Sequence, residues 1–440
     1  MTFLFGDFII TANVMLFLED IMSKIQKPRI GIIGLGARGY DLLRVCFVPM
    51  AQHDIIEITA CCDFYEDRAE KGAAYAEEQL GKRPFTTTNW KEVVDHPEVD
   101  AVLVLTAWES HVDMCIYSMR AGKKVGVEVG CTYNIEDCYR LVRAYEETGI
   151  HCMMLENCCY GRRELMALNM VREGIFGSVV HCSGGYMHDL RDEIVNGDVN
   201  RHYRQRNYLL RNCENYPTHE LGPIMQILDI NNGNRFVTLN SIASCSKGLH
   251  EYAVEHRGEN DPVSKLNFAQ GDIVTTVLKC ADGRTVVLTL DTTLPRSYSR
   301  GLTVRGTKAL YTMDGDYIFF DGNNHEATVK DLVNNPENSA EELSAKYEHR
   351  IWKEYRENPI GGHEGIDWLA YNAFIESVRE DITPPIDTYD TATLMCISTL
   401  SEQSVAMGGA PVTVPDFTSG RWITRTEIQE EAKGYYTLKK

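Results

Sequence analysis

Short apolar runs separated by stretches of helical length dominate the first third of the chain. Ile30-Gly31-Ile32-Ile33, Ile55 to Cys62, Ala101 to Leu105, Lys124 to Val127 and His151 to Leu155 each fit a strand buried on both faces. Their alternation with helices predicts an open parallel sheet. After Cys159 the pattern changes. A helix over Arg163 to Val171 precedes Val179 to Ser183, Arg235 to Ala243, Asp272 to Leu278 and Thr285 to Thr292, which are alternating or Thr/Val-rich. Such runs predict a large, mainly antiparallel open sheet with one solvated or partner-facing side. Asn323 to Asn358, rich in Asn and Glu, reads as a solvated insertion, and helical patterns return at His363 to Arg379 and Tyr389 to Met407. The expected fold class is α/β. Its parts are a tail (1–26), a nucleotide-type unit (27–157), a second α/β unit (158–360) and returning helices with the C-terminal segment (361–440).

Composition narrows the class of partner. The 440 residues are too many for one ordinary core, and 44 Lys plus Arg against 63 Asp plus Glu give a net charge of −19. That balance repels nucleic acid and anionic membrane, so neither is an expected partner; of a small-molecule substrate it says little. The 14 Cys show no CxxC or Cys/His spacing suited to zinc. No metal is expected, and the thiols read as buried and free in a reducing cytoplasm. The first 22 residues are apolar but lack a basic n-region, contain Asp7 and show no cleavage site. Met22-Ser23-Lys24-Ile25 reads as an alternative translation start, which makes residues 1–21 a dispensable tail. No other stretch approaches the ~20 apolar residues a membrane span needs.

The first strand runs into Gly34-Leu35-Gly36-Ala37-Arg38-Gly39, a GxGxxG that opens a helix, and the second strand ends in Asp63. Gly34 allows the tight turn, Gly36 lets backbone approach a pyrophosphate, and Gly39 permits close helix–strand packing. The helix N-terminus faces the diphosphate, while Asp63 accepts from the ribose hydroxyls and disfavours a 2′-phosphate, so NAD is the expected cofactor. Ligands of such sheets lie beyond the carboxyl ends of the strands. That placement nominates Trp108, Glu109, Ser110, His111, Glu128, Val129 and Asn157.

Tyr216-Pro217-Thr218-His219 reads as the opening turn of a helix, with Pro217 at its first position and a phenol and an imidazole three residues apart on one face. Alone, the stretch fits a packed ring and a capped turn as well as it fits proton transfer.

The order of elements resembles the Gfo/Idh/MocA oxidoreductase superfamily, whose first domain is a Rossmann dinucleotide-binding fold. Its dehydrogenases typically carry Glu-Lys-Pro where this chain has Glu128-Val129-Gly130, and Asp-x-Gly-x-His where it has Asn215 to His219. The resemblance sharpens to glycoside hydrolase family 109, NAD-dependent N-acetylhexosaminidases best known for α-N-acetylgalactosaminidase activity. It rests on GLGARG, Trp108 to His111, Glu128-Val129, Asn157, Gly184 to Arg191, Tyr216 to His219, Asp291 to Ser299, Gly362 to Asp367 and Ala410 to Phe417. Departures are Glu220, where the family more often has Gly, Glu364 within a glycine pair, and a short loop from Arg191 to Arg204.

The resemblance implies a redox-neutral cycle: hydride removal at sugar carbon 3, proton loss at carbon 2, elimination of the aglycone, water addition and return of the hydride. It makes Tyr216 and His219 the catalytic candidates, and Tyr186, Arg204, Pro217, Thr218 and Tyr298 the substrate contacts. A net sugar or cyclitol dehydrogenase and a non-catalytic dinucleotide-binding protein remain alternatives. A homodimer or homotetramer is expected, because the second sheet needs its outer face covered.

Overall fold

Apolar residues on both faces place β1 (Arg29–Ile33) at the centre of a six-stranded parallel sheet. Its partners are β2 (Glu57–Cys62), β3 (Phe85–Thr87), β4 (Ala101–Val104), β5 (Lys124–Val127) and β6 (Cys152–Met154), in the order β3-β2-β1-β4-β5-β6. Ile30, Ile32, Val102, Val104, Val125, Val127 and Met153 are wholly excluded from solvent, as a sheet covered on both faces requires. The order reverses between β1 and β4, and that switch point opens a crevice at the carboxyl ends of the strands. This computed structural model describes residues 27–425 and 434–438, and the backbone of a hairpin pairing Leu4–Phe5 with Phe8–Ile9. Apart from that hairpin, the expected dispensable tail lies outside the described residues.

The helices that shape the crevice are α1 (Ala37–Leu42) after β1 and α2 (Trp108–Arg120) after β4. Beyond β6, a 3-10 turn (Asn157–Tyr160) leads into α3 (Arg162–Arg172) and then into the second sheet. That sheet has eight strands: β7 (Val179–Met187), β8 (Phe236–Ala243), β9 (Ile273–Cys280), β10 (Thr285–Asp291), β11 (Thr303–Gly306), β12 (Ala309–Thr312), β13 (Tyr317–Phe320) and β14 (Val412–Thr413). The order is β13-β12-β11-β7-β10-β9-β8-β14. It is antiparallel except for the central pair β7 and β10. Leu239, Val274, Leu278, Val286, Leu288 and Leu290 are buried on the inner face, where α4 (Thr218–Ile227) crosses β7. On the outer face Thr275 and Lys279 are exposed, and Val277 and Val287 half-buried.

The segment Asn323 to Asn358 is exposed over much of its length, as its composition predicts, but part of it packs against the domain. Short helices at Val329–Val333, Ala340–Tyr347 and Arg350–Tyr355 bury Leu332, Tyr347, Ile351 and Trp352. Trp352 Nε1 donates to the Tyr160 carbonyl at 2.8 Å, and Arg163 pairs with Glu341 at 2.7 Å. Its helices are too short to show a clear period, so the pattern does not reveal them.

The returning helices α5 (Ile366–Glu380) and α6 (Thr388–Ala406) close the assembly. Thr388 and Thr391 hydroxyls accept the Cys152 and Met154 N–H groups of edge strand β6 at 2.9 and 3.0 Å. Those donors would otherwise be an open pairing edge. At its other end α6 reaches the second sheet, where the Ser404 hydroxyl accepts from Ser241 N–H at 2.9 Å. All fourteen cysteines are free, and every one but Cys245 is buried. No helix among the described residues is long and apolar enough to cross a membrane.

Candidate functional site

The turn after β1 has the shape its glycines predict. Gly34 has φ 103°, and a Cβ there would sit 2.5 Å from the Leu105 carbonyl oxygen. A Cβ on Gly39 would collide with the Gly34 carbonyl, which is how closely α1 approaches the strand. At Gly36 the space is open but for Arg68, so backbone is presented to a ligand. Asp63 accepts from Leu35 N–H at 2.7 Å and Tyr65 N–H at 2.9 Å, which fixes the turn. A carboxylate has about four lone-pair sites, so acceptors remain for ribose hydroxyls.

The residues nominated after β4 divide in two. Ser110 Oγ meets Thr106 Oγ1 at 2.7 Å, and His111 Nε2 meets the Thr106 carbonyl at 2.9 Å. Burial pushes the His111 pKa down to about 4, so the ring is neutral and Nε2 carries the donated proton. His111 Nδ1 and Trp108 Nε1 are buried without a partner. Glu109 instead turns to Arg206 at the surface. An orphaned indole N–H after β4, open glycine backbone after β1 and an acid after β2 together fit a bound dinucleotide.

Arg38, inside the glycine motif, ties this turn to the C-terminal helices. Its guanidinium donates to both oxygens of Asp367 on α5, at 2.8 and 2.9 Å. Asp367 is wholly buried and also accepts from Asn157 Nδ2 at 2.7 Å and His363 Nδ1 at 2.8 Å. Burial alone would raise its pKa, but His363 and Arg38 hold the carboxyl well below the usual range. His363, Glu364 and Gly365 leading into α5 have φ of 50, 58 and 97°. Glu364 therefore sits where glycine would be at ease, and the strained turn delivers His363 and Asp367 to Arg38. Glu128 completes the group, accepting from Tyr371 Oη at 2.8 Å, and Val129 beside it is buried.

The Tyr216 to His219 stretch lies against Trp108. Helix α4 begins at Thr218, so Pro217 (φ −72°) is its N-cap and not its first residue. Tyr216 still stands beside His219, with ring centroids 4.8 Å apart and planes at 84°. Tyr186 on β7 lies tilted over Tyr216 at 4.4 Å and edge-to-face with His219 at 5.1 Å, while Trp108 lies 5.8 Å from Tyr216. Thr218 is fully buried. Arg204 is no solvated basic face: its guanidinium carbon lies 5.1 Å from the Tyr216 ring centroid, and Nη1 pairs with Glu193 at 2.7 Å. Tyr298 forms the rim, half exposed, 6.4 Å from Tyr186. Burial pushes the Tyr216 phenol well above its ordinary pKa, so it stays a neutral donor despite Arg204.

Sequence reading missed Glu156. Wholly buried at the carboxyl end of β6, it meets His219 Nδ1 at 2.9 and 3.1 Å through its two oxygens and accepts Cys158 N–H at 3.0 Å. Burial would raise its pKa, yet His219 holds it below the usual value, so it is a carboxylate. An acceptor-only carboxylate puts the proton on Nδ1 and leaves Nε2 to exchange one with a ligand. The rule that selected its neighbour Asn157 would also have selected it. Glu156→Gln is expected to lower kcat by on the order of 100-fold or more, by analogy with triads that lose their orienting carboxylate. KM and NAD affinity should stay near wild type in steady-state and equilibrium binding measurements. Unchanged kcat would leave Glu156 a purely structural residue.

Glu220 turns from the pocket side to the sheet, filling the space over Gly184, where a Cβ would strike its side chain. With Glu164 and Arg300 it forms a buried group in which one guanidinium serves two carboxylates. Burial first, and then Glu164, raise the Glu220 pKa well above its ordinary value. Arg300, 3.7 Å from Glu220, offsets the departure at that position only in part, and sequence inspection did not connect the two.

Comparison with known proteins agrees with this architecture. Residues 28–156 match the NAD-binding Rossmann fold of the oxidoreductase family, and residues 160–424 match the C-terminal domain of glycosyl hydrolase 109. The alpha-N-acetylgalactosaminidase of Tannerella forsythia is 36% identical over 421 residues, 90% of this chain and 87% of the relative. A glycosyl hydrolase family 109 protein of Parabacteroides distasonis is 36% identical over 430 residues, 91% and 88% of the two chains. Among solved structures, an NAD binding oxidoreductase from Klebsiella pneumoniae superposes with a TM-score of 0.66 at 16% identity, covering 89% of this chain and 100% of that one. An inositol dehydrogenase homolog complexed with NAD+ from Azotobacter vinelandii gives 0.64 at 14% identity, covering 89% and 98%. These structures share the fold. The two family matches and the level of identity across nine-tenths of the sequence go further: the chain belongs to glycosyl hydrolase family 109.

Proposed function

We propose that the protein is an NAD-dependent glycosidase that removes terminal N-acetylhexosamine, with α-N-acetylgalactosamine as its first candidate substrate. One observation carries the reading. A neutral phenol and a carboxylate-backed imidazole meet at the mouth of a dinucleotide crevice, where Val129 takes the place of a catalytic Lys. The Tannerella relative's name supports the choice of sugar.

Gly36, Asp63, Trp108, His111, Glu128 and Asn157 would hold NAD, with Arg38 fixing the turn. The cofactor would supply reversible hydride transfer at sugar carbon 3, with the hydroxyl proton of that carbon leaving to solvent and returning when the hydride does. A ketone at that carbon acidifies the hydrogen on carbon 2. His219 Nε2 takes that proton, and Glu156 steadies the resulting imidazolium. Tyr216 donates a hydrogen bond to the oxygen on carbon 3, where negative charge gathers, and Arg204 over its ring favours that charge. The electron pair left at carbon 2 expels the aglycone from carbon 1. Water then adds at carbon 1, and His219 returns a proton to carbon 2. Tyr186 and Tyr298 offer ring faces to the pyranose.

Nitrophenyl N-acetylhexosaminides of both anomers, incubated with the NAD-loaded protein in D2O, test this reading. Expected are nitrophenol release without net NADH and deuterium at carbon 2 of the freed sugar. Steady NADH formation from a free sugar would establish a net dehydrogenase instead.

A further inference from the structure

Glu156, Cys158 and His219 bring three different ligand atoms together. A carboxylate oxygen, the Cys158 Sγ and an imidazole nitrogen all lie within 4.8 Å of one another. Glu156 and Cys158 sit two residues apart on one 3-10 turn, whose start the Glu156 side chain caps, and His219 stands on the first turn of α4. All three positions are therefore fixed by regular backbone. A tetrahedral zinc ion with bonds of ~2.0–2.3 Å needs its ligand atoms roughly 3.3–3.8 Å apart. The Glu156–His219 contact at 2.9 Å would open slightly and Cys158 would move inward.

We propose that this triangle is a soft-metal site, for Zn2+ or Cd2+, that switches off the proton-handling centre when filled. The charges balance. A carboxylate, a thiolate and a neutral imidazole carry two negative charges, which a divalent ion neutralises in a buried setting. Forming the metal–sulfur bond releases one proton, from the Cys158 thiol, to solvent. With the metal on Nδ1 the neutral ring keeps its proton on Nε2, so the nitrogen that must accept the carbon 2 proton is blocked. The Glu156–His219 hydrogen bond is lost at the same time. This blocking role rests on the assignment of His219 above, whereas metal binding does not.

The test uses the NAD-loaded protein carrying Cys245→Ser, which removes the one exposed cysteine among those described. Titration with Cd2+ is read by the sulfur-to-metal charge-transfer absorbance, and Zn2+ is titrated against nitrophenol release. Expected are one equivalent of Cd2+ bound through sulfur, and loss of activity with Zn2+ that a chelator restores. Cys158→Ser or Cys158→Ala should weaken both responses by at least the roughly 10–100-fold that loss of a metal site's supporting partner costs. Cys159→Ser, a buried neighbour outside the triangle, should leave them intact. No charge-transfer band, or a band that survives in both Cys158 variants, overturns the site. Binding without inhibition overturns the switching role and retains the site. If nitrophenol release is never seen, the cadmium band still decides the site by itself.

Discussion

His219→Ala is expected to lower kcat for aglycone release by on the order of 10²–10⁴-fold, the usual contribution of a positioned acid–base group, with NAD binding unchanged. The variant also strands Glu156, whose carboxylate is wholly buried and would lose its cation-capable partner. Breaking a buried pair costs about 3–5 kcal/mol, so part of any loss would reflect stability. His219→Asn separates the two effects, because its amide can still donate toward Glu156 while offering no base. Both variants should be inactive, and the Asn variant should unfold closer to wild type in a denaturant titration. Tyr216→Phe should retain the ring contact with Tyr186 and lose only the hydroxyl, giving a smaller fall in kcat. Activity of His219→Asn within a few-fold of wild type would remove His219 from the chemistry.

Asp367→Asn is the second large effect, and it acts on stability. Asp367 is the one anion gathering Arg38, Asn157 and His363, and through them it joins the glycine turn to α5. Neutralising it leaves Arg38 with Glu128 at 3.4 Å as its remaining ion pair. A loss of about 3–5 kcal/mol is expected, measured as the shift in urea midpoint at neutral pH. The pH dependence has a definite sign. The folded-state pKa of Asp367 is depressed below the ~3.9 of an unfolded aspartate. Its contribution is therefore fully present above that unfolded value and is lost as pH falls toward the folded one. Wild type should lose this increment on acidification below about pH 4, and Asp367→Asn should show a flatter acid limb. Equal midpoints at neutral pH would mean that Arg38 finds an equivalent partner.

The parts legible in the sequence are those in which the chemistry is local. The strand–glycine–helix turn, Asp63 at the end of the next strand, and Tyr216 and His219 three residues apart all depend on neighbours along the chain. Helix and strand geometry convert such spacings into positions with little help from elsewhere. Even there the detail shifted: Pro217 caps α4 where it was expected inside it, and Glu109 faces Arg206. The short helices within 323–358 could not be read, because they pack through contacts with α3 such as Glu341 with Arg163 and show no apolar period of their own.

Partners far apart in the chain could not be read. His219 finds Glu156 across 63 positions, and Arg38 finds Asp367 across 329. A buried carboxylate looks like any other acid until packing removes its water and supplies a donor. By itself the sequence determined the nucleotide-binding turn, the two-sheet plan, the family and the pairing of Tyr216 with His219 on one helix end. Only the tertiary structure decided which nitrogen of His219 meets Glu156, and what fixes Arg38. It also placed a thiol, Cys158, beside Glu156 and His219. The reason is physical: local backbone geometry follows from short-range sterics and hydrogen bonds, whereas ionisation and tautomer are set by what burial brings alongside.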